Sequence, residues 1–412
     1  LNAPSGVLIE DSAMPDHNYR PPTTDQLDQL LQQASADQTE PFPDGVGIAI
    51  CWDGGDFPDP GGIYRYGNLR DWDNHSMAFT DDVLFKIASC SKTFTATAYA
   101  MALQKDMIDD DTTVGDMVRP STLGSNYLDI PLRSLVNYTS GFPADNVPGS
   151  GTLPTPFPVP YEVDEMFGFL RGNPFEPEGT TERYTYSNLA FSLLGWLLAE
   201  KIGHAKFAQL IDGWIFRPLG MNDSQYSPPY IKGILSTEPK PPAAPKMLPR
   251  CYTYSAGDNG NDGTYELASP SSHNFDAYYG GGGVMTSPRD MLQWLRFNLG
   301  LNKNLPKSNV LLQKLHTPTT GVTAGTSQLC MGWFMTPASA LSPAMLYKDG
   351  DLAGANSYLL LIASDAPGQI ASPAGVGVMV NVEGLTVNGT TLATWLAKKV
   401  MAIMSGEETP SV

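Results

Sequence analysis

The sequence predicts an α/β fold, an antiparallel sheet flanked by helices and assembled from both ends of the chain, with an all-helical segment inserted between them. Strand-like runs occur near the N-terminus, at 46–52 and 62–67, and return only after residue 330. Residues from about 105 to 225 instead form mostly helical segments broken by Gly and Pro. Among them 188–202 carries Leu189, Phe191, Leu193, Leu194, Trp196, Leu197 and Leu198, apolar nearly all round and therefore a buried helix. The expected organisation is a sheet domain from residues 1–84 and 275–412 and a mostly helical domain from 85–274 carrying Ser89 and Tyr186, with the active site at their interface.

In chain order, residues 1–22 read as irregular. Thr23 or Thr24 can cap a helix to about Ala36, because Leu27, Leu30 and Leu31 share one face. The runs 46–52 and 62–67, with Asp53-Gly54-Gly55 between them, read as a long hairpin. A helix then opens near Ser89 and continues through Leu103. Short helices at 113–118, 131–136 and 163–171 precede the buried one, and 214–221 closes the helical part. Residues 227–249 are Pro-rich and read as an extended excursion. After a helix at about 288–298 come strands at 331–335, 345–348, 357–363 and 375–381, spaced as successive antiparallel neighbours, and a last helix at about 390–404.

A net charge of -18 with 25 basic residues that do not cluster argues against nucleic acid or an anionic membrane as partner, since phosphate binding needs grouped Lys and Arg. No apolar run approaches the ~18 to 20 residues of a membrane span, so a soluble chain is expected. The first residue is Leu1, which fits a mature secreted form after loss of a signal peptide. Sequons at Asn74, Asn137, Asn222 and Asn388 fit a glycosylated extracellular protein. Cys51, Cys90, Cys251 and Cys330 lack C-x-x-C or zinc spacing; they fit up to two disulfides, with all three pairings open, or buried free thiols. No metal and no cofactor is expected. His17, His75, His204, His273 and His316 are scattered, with His273, near the glycine run, the one to check, and G-x-S-x-G, H-E-x-x-H and phosphate-loop motifs are absent.

Three short motifs carry the chemistry. Ser89-Cys90-Ser91-Lys92 is the single Ser-x-x-Lys of the chain. On a helix, positions three apart share a face, so the lysine can take the proton of a hydroxyl that is otherwise a poor nucleophile. Tyr186-Ser187-Asn188 opens the buried helix, and a phenol beside ammonium groups can act as base and then acid. Lys348-Asp349-Gly350-Asp351 ends a strand, where a lysine can polarise the site or hold a substrate anion and a glycine admits close approach to the backbone.

Together, Ser89-x-x-Lys92, Tyr186-x-Asn188 and Lys348-x-Gly350 resemble, in order and spacing, the serine β-lactamase and penicillin-binding-protein superfamily. The branch resembled is that of class C β-lactamases, D-aminopeptidases and carboxylesterases. Residues 85–93, 137–143, 175–180, 218–221 and 280–290 are similar to further landmarks of that branch, and the resemblance spans roughly 45–400. It implies a β-lactamase/transpeptidase-like fold in which Ser89 forms an acyl-enzyme, Lys92 activates it and Tyr186 shuttles protons. It also implies that Asn188 holds a substrate carbonyl or orients Lys92, that Lys348 tunes Tyr186, and that the amides of Ser89 and Asp351 hold the oxyanion. Asp349 departs from the family, standing where many β-lactamases carry a threonine that helps bind the substrate carboxylate; an ionised Asp349 facing the cleft would repel it, an objection that weakens if Asp349 faces away or pairs with Lys348.

The function expected is a secreted serine hydrolase of the esterase type acting on a small-molecule ester, amide or peptide. A D-amino-acid peptidase or β-lactamase is the alternative within enzymes, and a catalytically silent binding protein on the same fold the alternative outside them.

Overall fold

The computed structural model describes residues 19–38, 42–54, 57, 61–119, 123–143, 163–172, 183–203, 206–226, 247–256, 263–268, 276–339, 342–362 and 373–407. The irregular N-terminus, most of the Pro-rich excursion, the landmark at 175–180 and His273 lie outside them.

The centre is an eight-stranded antiparallel sheet. In chain order its strands are β1 (Gly47–Gly54), β2 (Gly62–Gly67), β3 (Thr323–Ala324), β4 (Ser327–Leu329), β5 (Phe334–Thr336), β6 (Met345–Leu352), β7 (Ala355–Ile362) and β8 (Ala374–Val380). They lie in the spatial order β3-β4-β5-β6-β7-β8-β1-β2. The expected hairpin is present, with Trp52 opposite Gly62, and β1 closes on the C-terminal strand β8 through Ile48 opposite Val380.

Helices cover both faces. Side chains alternate along a strand, so Ile48 and Ile50 enter one core while Ala49 and Cys51 enter the other. The first core holds α1 (Thr24–Ala36) and α5 (Leu392–Met404) against β7, β8 and β1. On α1, Leu27, Leu30, Leu31 and Ala34 are buried, and Thr23 with Gln26 forms a capping box. The second core holds α2 (Lys92–Gln104), α3 (Asn188–Gly203) and α4 (Pro288–Asn298). Double-sided burial explains why β7 and β8 read as continuous apolar runs.

α2 is buried from Lys92 to Leu103. Its threonines satisfy their hydroxyls on backbone carbonyls: Thr93 on Cys90, Thr97 on Thr93 and Thr95 on Gly280, at 2.7–2.8 Å. Phe94 stacks on Trp294 of α4 with centroids 3.8 Å apart. Chain 214–221 forms a short wide turn, Asp212–Phe216, followed by Arg217–Leu219. Of the expected strand at 331–335 only the end is strand: Gly332 adopts φ 72 in the turn that joins β4 to β5, and β5 begins at Phe334.

The cysteines do not pair. Each thiol is buried separately and donates to a different carbonyl: Cys51 to Pro288, Cys90 to Lys348, Cys251 to Pro249 and Cys330 to His316. Of the two readings the sequence left open, disulfides or buried free thiols, the structure has the second, four small apolar core residues. Asn137 follows the helix Leu132–Val136; with its amide turned so that nitrogen faces the acceptors, it donates to the carbonyls of Arg133 (2.9 Å) and Ser134 (3.2 Å). Asn74, Asn222 and Asn388 are exposed.

Candidate active site

Ser89 lies not in the helix proper but in a single tight turn, Ala88–Ser91, that leads into α2. The turn is reached from the strand Phe85–Lys86, which pairs with Val284–Thr286. Two further bonds clamp it, Ile87 N to Val284 O and Val284 N to Ser91 Oγ, both 3.1 Å. Ala88, buried immediately before the serine, is held at φ 46, a left-handed conformation that costs a non-glycine residue of order 1 kcal/mol or more. That strained residue aims the following hydroxyl.

Lys92 is fully buried, and its Nζ reaches Ser89 Oγ at 3.0 Å, Asn188 Oδ1 at 2.7 Å and Gly281 O at 2.6 Å. The Gly281 carbonyl comes so close because Gly280 and Gly281 lie flat on α3; a Cβ on Gly280 would stand 2.0 Å from Phe191 O. Asn188 opens α3, and its neighbour Ser187 accepts from Ala190 N, as an N-cap does.

Tyr186 precedes that cap. Its ring stacks on Tyr138 at 5.6 Å, and the ammonium groups of Lys92 and Lys348 lie 4.9 and 5.4 Å from its centroid. Burial pushes the phenol pKa up, but Lys348, Lys92 and a hydrogen bond with Ser89 outweigh it, and the net position is below the ordinary tyrosine value. Tyr138, by contrast, is pushed well above that value by burial and stays a neutral donor, its hydroxyl on Gly332 O at 3.0 Å.

Lys348 on β6 is fully buried beneath these rings. Burial works against its charge, yet Asp349 and the two phenols beside it hold the ammonium well above its usual range. Its Nζ donates to Asp349 O and Asp349 Oδ1, both at 2.7 Å. The Lys348 charge in turn holds Asp349 below the usual carboxylate range. Asp349 therefore spends its charge on Lys348, while its side chain remains 58% exposed.

Gly350 packs against the nucleophile turn. A Cβ there would lie 2.4 Å from both Ile87 O and Ser357 Oγ, so only glycine lets β6 seat on the nucleophile turn. Asp351 follows with an exposed side chain whose carboxylate burial pushes up to about 6 and whose Oδ1 accepts from Asn356 across the hairpin at 3.4 Å. Opposite β7, the other edge of β6 pairs with β5 only as far as Tyr347. Among the described residues, 348–352 have no strand on that side.

All three motifs thus meet in one cluster. The sequence did not single out Tyr138, the Gly281 carbonyl, or the Cys90–Ser357 pair, in which Ser357 Oγ donates to Ile87 O (2.8 Å) and Cys90 Sγ to Lys348 O (3.2 Å). Burial pushes the Cys90 thiol up to about 12, so it serves as a donor. Away from the site, Asp71, Asp73 and His75 are close enough to hold an ion, but they form a surface turn in which Asp71 accepts from the amides of Asp73 and His75.

The cluster is a nucleophile with an adjacent amine, an acid/base phenol of lowered pKa, and an open strand edge. Such a set can take an acyl group on a serine and pass it on without metal-bound water. A family model described as Beta-lactamase matches residues 58–400. The chain is 25% identical over 313 residues to a D-alanyl-D-alanine-carboxypeptidase/endopeptidase of Escherichia coli, covering 73% of each. It is 25% identical over 318 residues to a β-lactamase-like protein of Dictyostelium discoideum, covering 72% of this chain and 51% of that one. A β-lactamase/D-alanine carboxypeptidase from Yersinia pestis has the same fold, with TM-score 0.64 at 19% identity over 92% of this chain and 99% of that one.

Proposed function

This chain belongs to the Beta-lactamase family of serine hydrolases, and from that premise we propose that it is an acyl-transfer hydrolase of the esterase type. The observation that carries the reading is the Lys92 ammonium 3.0 Å from Ser89 Oγ, inside a cluster that also lowers the Tyr186 pKa. Ser89 attacks the ester or amide carbonyl, and its proton passes to the Tyr186 phenolate, which the Lys92 and Lys348 ammonium groups favour. The tetrahedral oxyanion is received by the amides of Ser89 and Asp351. Tyr186 then protonates the leaving group, and the same phenolate accepts a proton from the water that releases the acyl group. Asn188 fixes Lys92 through Oδ1.

The esterase preference rests on Asp349. A lysine beside the cleft could hold a substrate carboxylate, but Lys348 is already paired with a carboxylate that is itself half open to solvent. A substrate carboxylate there finds the ammonium already neutralised and gains little attraction. The uncovered edge of β6 favours a second reading, a peptidase whose substrate backbone pairs with that edge. An extracellular, glycosylated setting is supported by the exposure of three of the four sequons, and a mass decrease on glycosidase treatment of the secreted protein would test it.

A fluorophosphonate probe is expected to add one label to the wild type and none to Ser89→Ala; equal labelling would remove Ser89 from the mechanism. Short p-nitrophenyl esters are expected to turn over faster than a chromogenic cephalosporin or a D-alanyl dipeptide. The reverse order would favour the peptidase or β-lactamase reading, and neither labelling nor turnover a binding protein. In Asp349→Thr, kcat/KM for a carboxylate-bearing ester should rise roughly tenfold relative to a neutral one.

A further inference from the structure

A groove with a cavity of about 570 Å³ lies on the face of the sheet opposite the nucleophile turn, between β6, β7 and α5. Its floor is apolar and aromatic: Tyr347, Tyr358, Met345 and Leu360 from the strands, Met401 from the helix. Tyr347 and Tyr358 are stacked with centroids 5.9 Å apart and planes within 11°.

Two observations join this groove to the Ser89 site. Asp349 lines the groove and also reaches round the strand to Lys348 Nζ at 2.7 Å. The aromatic wall is continuous as well. Tyr347 stacks on Phe334, Phe334 on Tyr138 and Tyr138 on Tyr186, at 5.5, 5.0 and 5.6 Å. Since β5 stops opposite Tyr347, no described strand separates the two at the Asp349 edge.

We propose that the groove is a second substrate subsite, which takes an uncharged aromatic group tethered to the ester or amide cleaved at Ser89. This rests on the hydrolase reading above. Flat apolar floors with a few polar groups at the rim are what such ligands occupy, and stacked tyrosine edges favour planar rings. With Lys348 already neutralised by Asp349 at the junction, a carboxylate on the tether gains no unpaired cation there.

Ala402, half-buried on α5, and exposed Thr326 line opposite walls, so Ala402→Trp and Thr326→Trp each fill the groove without touching Ser89, Lys92, Tyr186 or Lys348. Wild type and both variants are assayed on p-nitrophenyl acetate and on esters carrying a 2-naphthyl group through a six-carbon chain, on the acyl or on the alcohol side. Acetate turnover should stay within about twofold, while at least one naphthyl ester loses tenfold or more in kcat/KM through KM. Unchanged naphthyl esters, or acetate falling in parallel, would overturn the subsite. If wild type cleaves no ester, the hydrolase reading fails, and the groove is judged by anisotropy titration of a 2-naphthyl amide. Saturable binding weakened tenfold by Ala402→Trp supports the groove, and equal binding sinks it. A wild-type dimer in sedimentation that Ala402→Trp dissociates would instead assign the groove to a second copy of the chain and overturn the proposal.

Discussion

The electrostatics at Tyr186 set how the site responds to pH. In the proposed mechanism the phenolate is the base, and its pKa is lowered because Lys348 and Lys92 outweigh burial. Activity should therefore rise with pH through a limb that lies below the ordinary tyrosine range. Lys348→Gln removes the largest favourable charge, so the limb moves to higher pH and kcat/KM at pH 7 falls roughly tenfold or more. A pH profile of kcat/KM for both proteins checks this; an unshifted limb would show that Tyr186 is not the titrating base. Of these residues, Ser89, Lys92, Tyr186 and Lys348 were readable as motifs. Tyr138 was not, because its role is a ring laid on Tyr186 from a segment 48 positions earlier.

At the scale of elements, the site depends on β6 lying against the turn at Ala88–Ser91. Gly350 is the contact, and Ser357 and Cys90 stitch β7, β6 and the turn together. Gly350→Ala would drive a Cβ into Ile87 O and Ser357 Oγ, so it should destabilise the protein by about 1–3 kcal/mol and displace the turn. Chemical denaturation measures the first effect, and the rate of fluorophosphonate labelling of Ser89 should fall with it. Wild-type stability and labelling would mean that the strand shifts freely at that point. Helices α1 and α4 were legible to their ends because a capping Thr23 and a capping Ser287 precede regular apolar spacing. The turn at 330–333 between β4 and β5 was not, since an apolar run looks the same whether or not a glycine turns it.

Across the whole molecule, buried carboxylates govern stability against pH. Asp290 on α4 is buried; its Oδ2 accepts from the amides of Asp223 and Ser224, at 2.8 and 2.6 Å, while Oδ1 has no hydrogen-bond partner. Burial pushes its pKa up to about 6. The native state then binds a proton more tightly than the unfolded chain, whose carboxyl titrates near 3.9, so this group's contribution falls as pH rises from about 4 to 6. Asp290→Asn keeps an accepting oxygen without the charge, and its Tm relative to wild type should increase over that interval. A difference independent of pH would contradict the assignment.

The sequence by itself determined the fold class, the long strands and helices, and the candidate serine, lysine and tyrosine, because these are local: apolar periodicity, helix caps and short motifs are written in neighbouring residues. Short strands before residue 330, such as Tyr252–Ser255 and Ser327–Leu329, it did not show. Tertiary structure decided what depends on distance. It left the four cysteines as separate buried thiols. It placed Asp349 against Lys348, so that a charge which looked free in the sequence is already paired. It also joined a groove on the far face of the sheet to the catalytic cluster through one strand edge. Such facts arise from the antiparallel register, which sets residues hundreds of positions apart side by side at a few ångströms, and no local pattern records them.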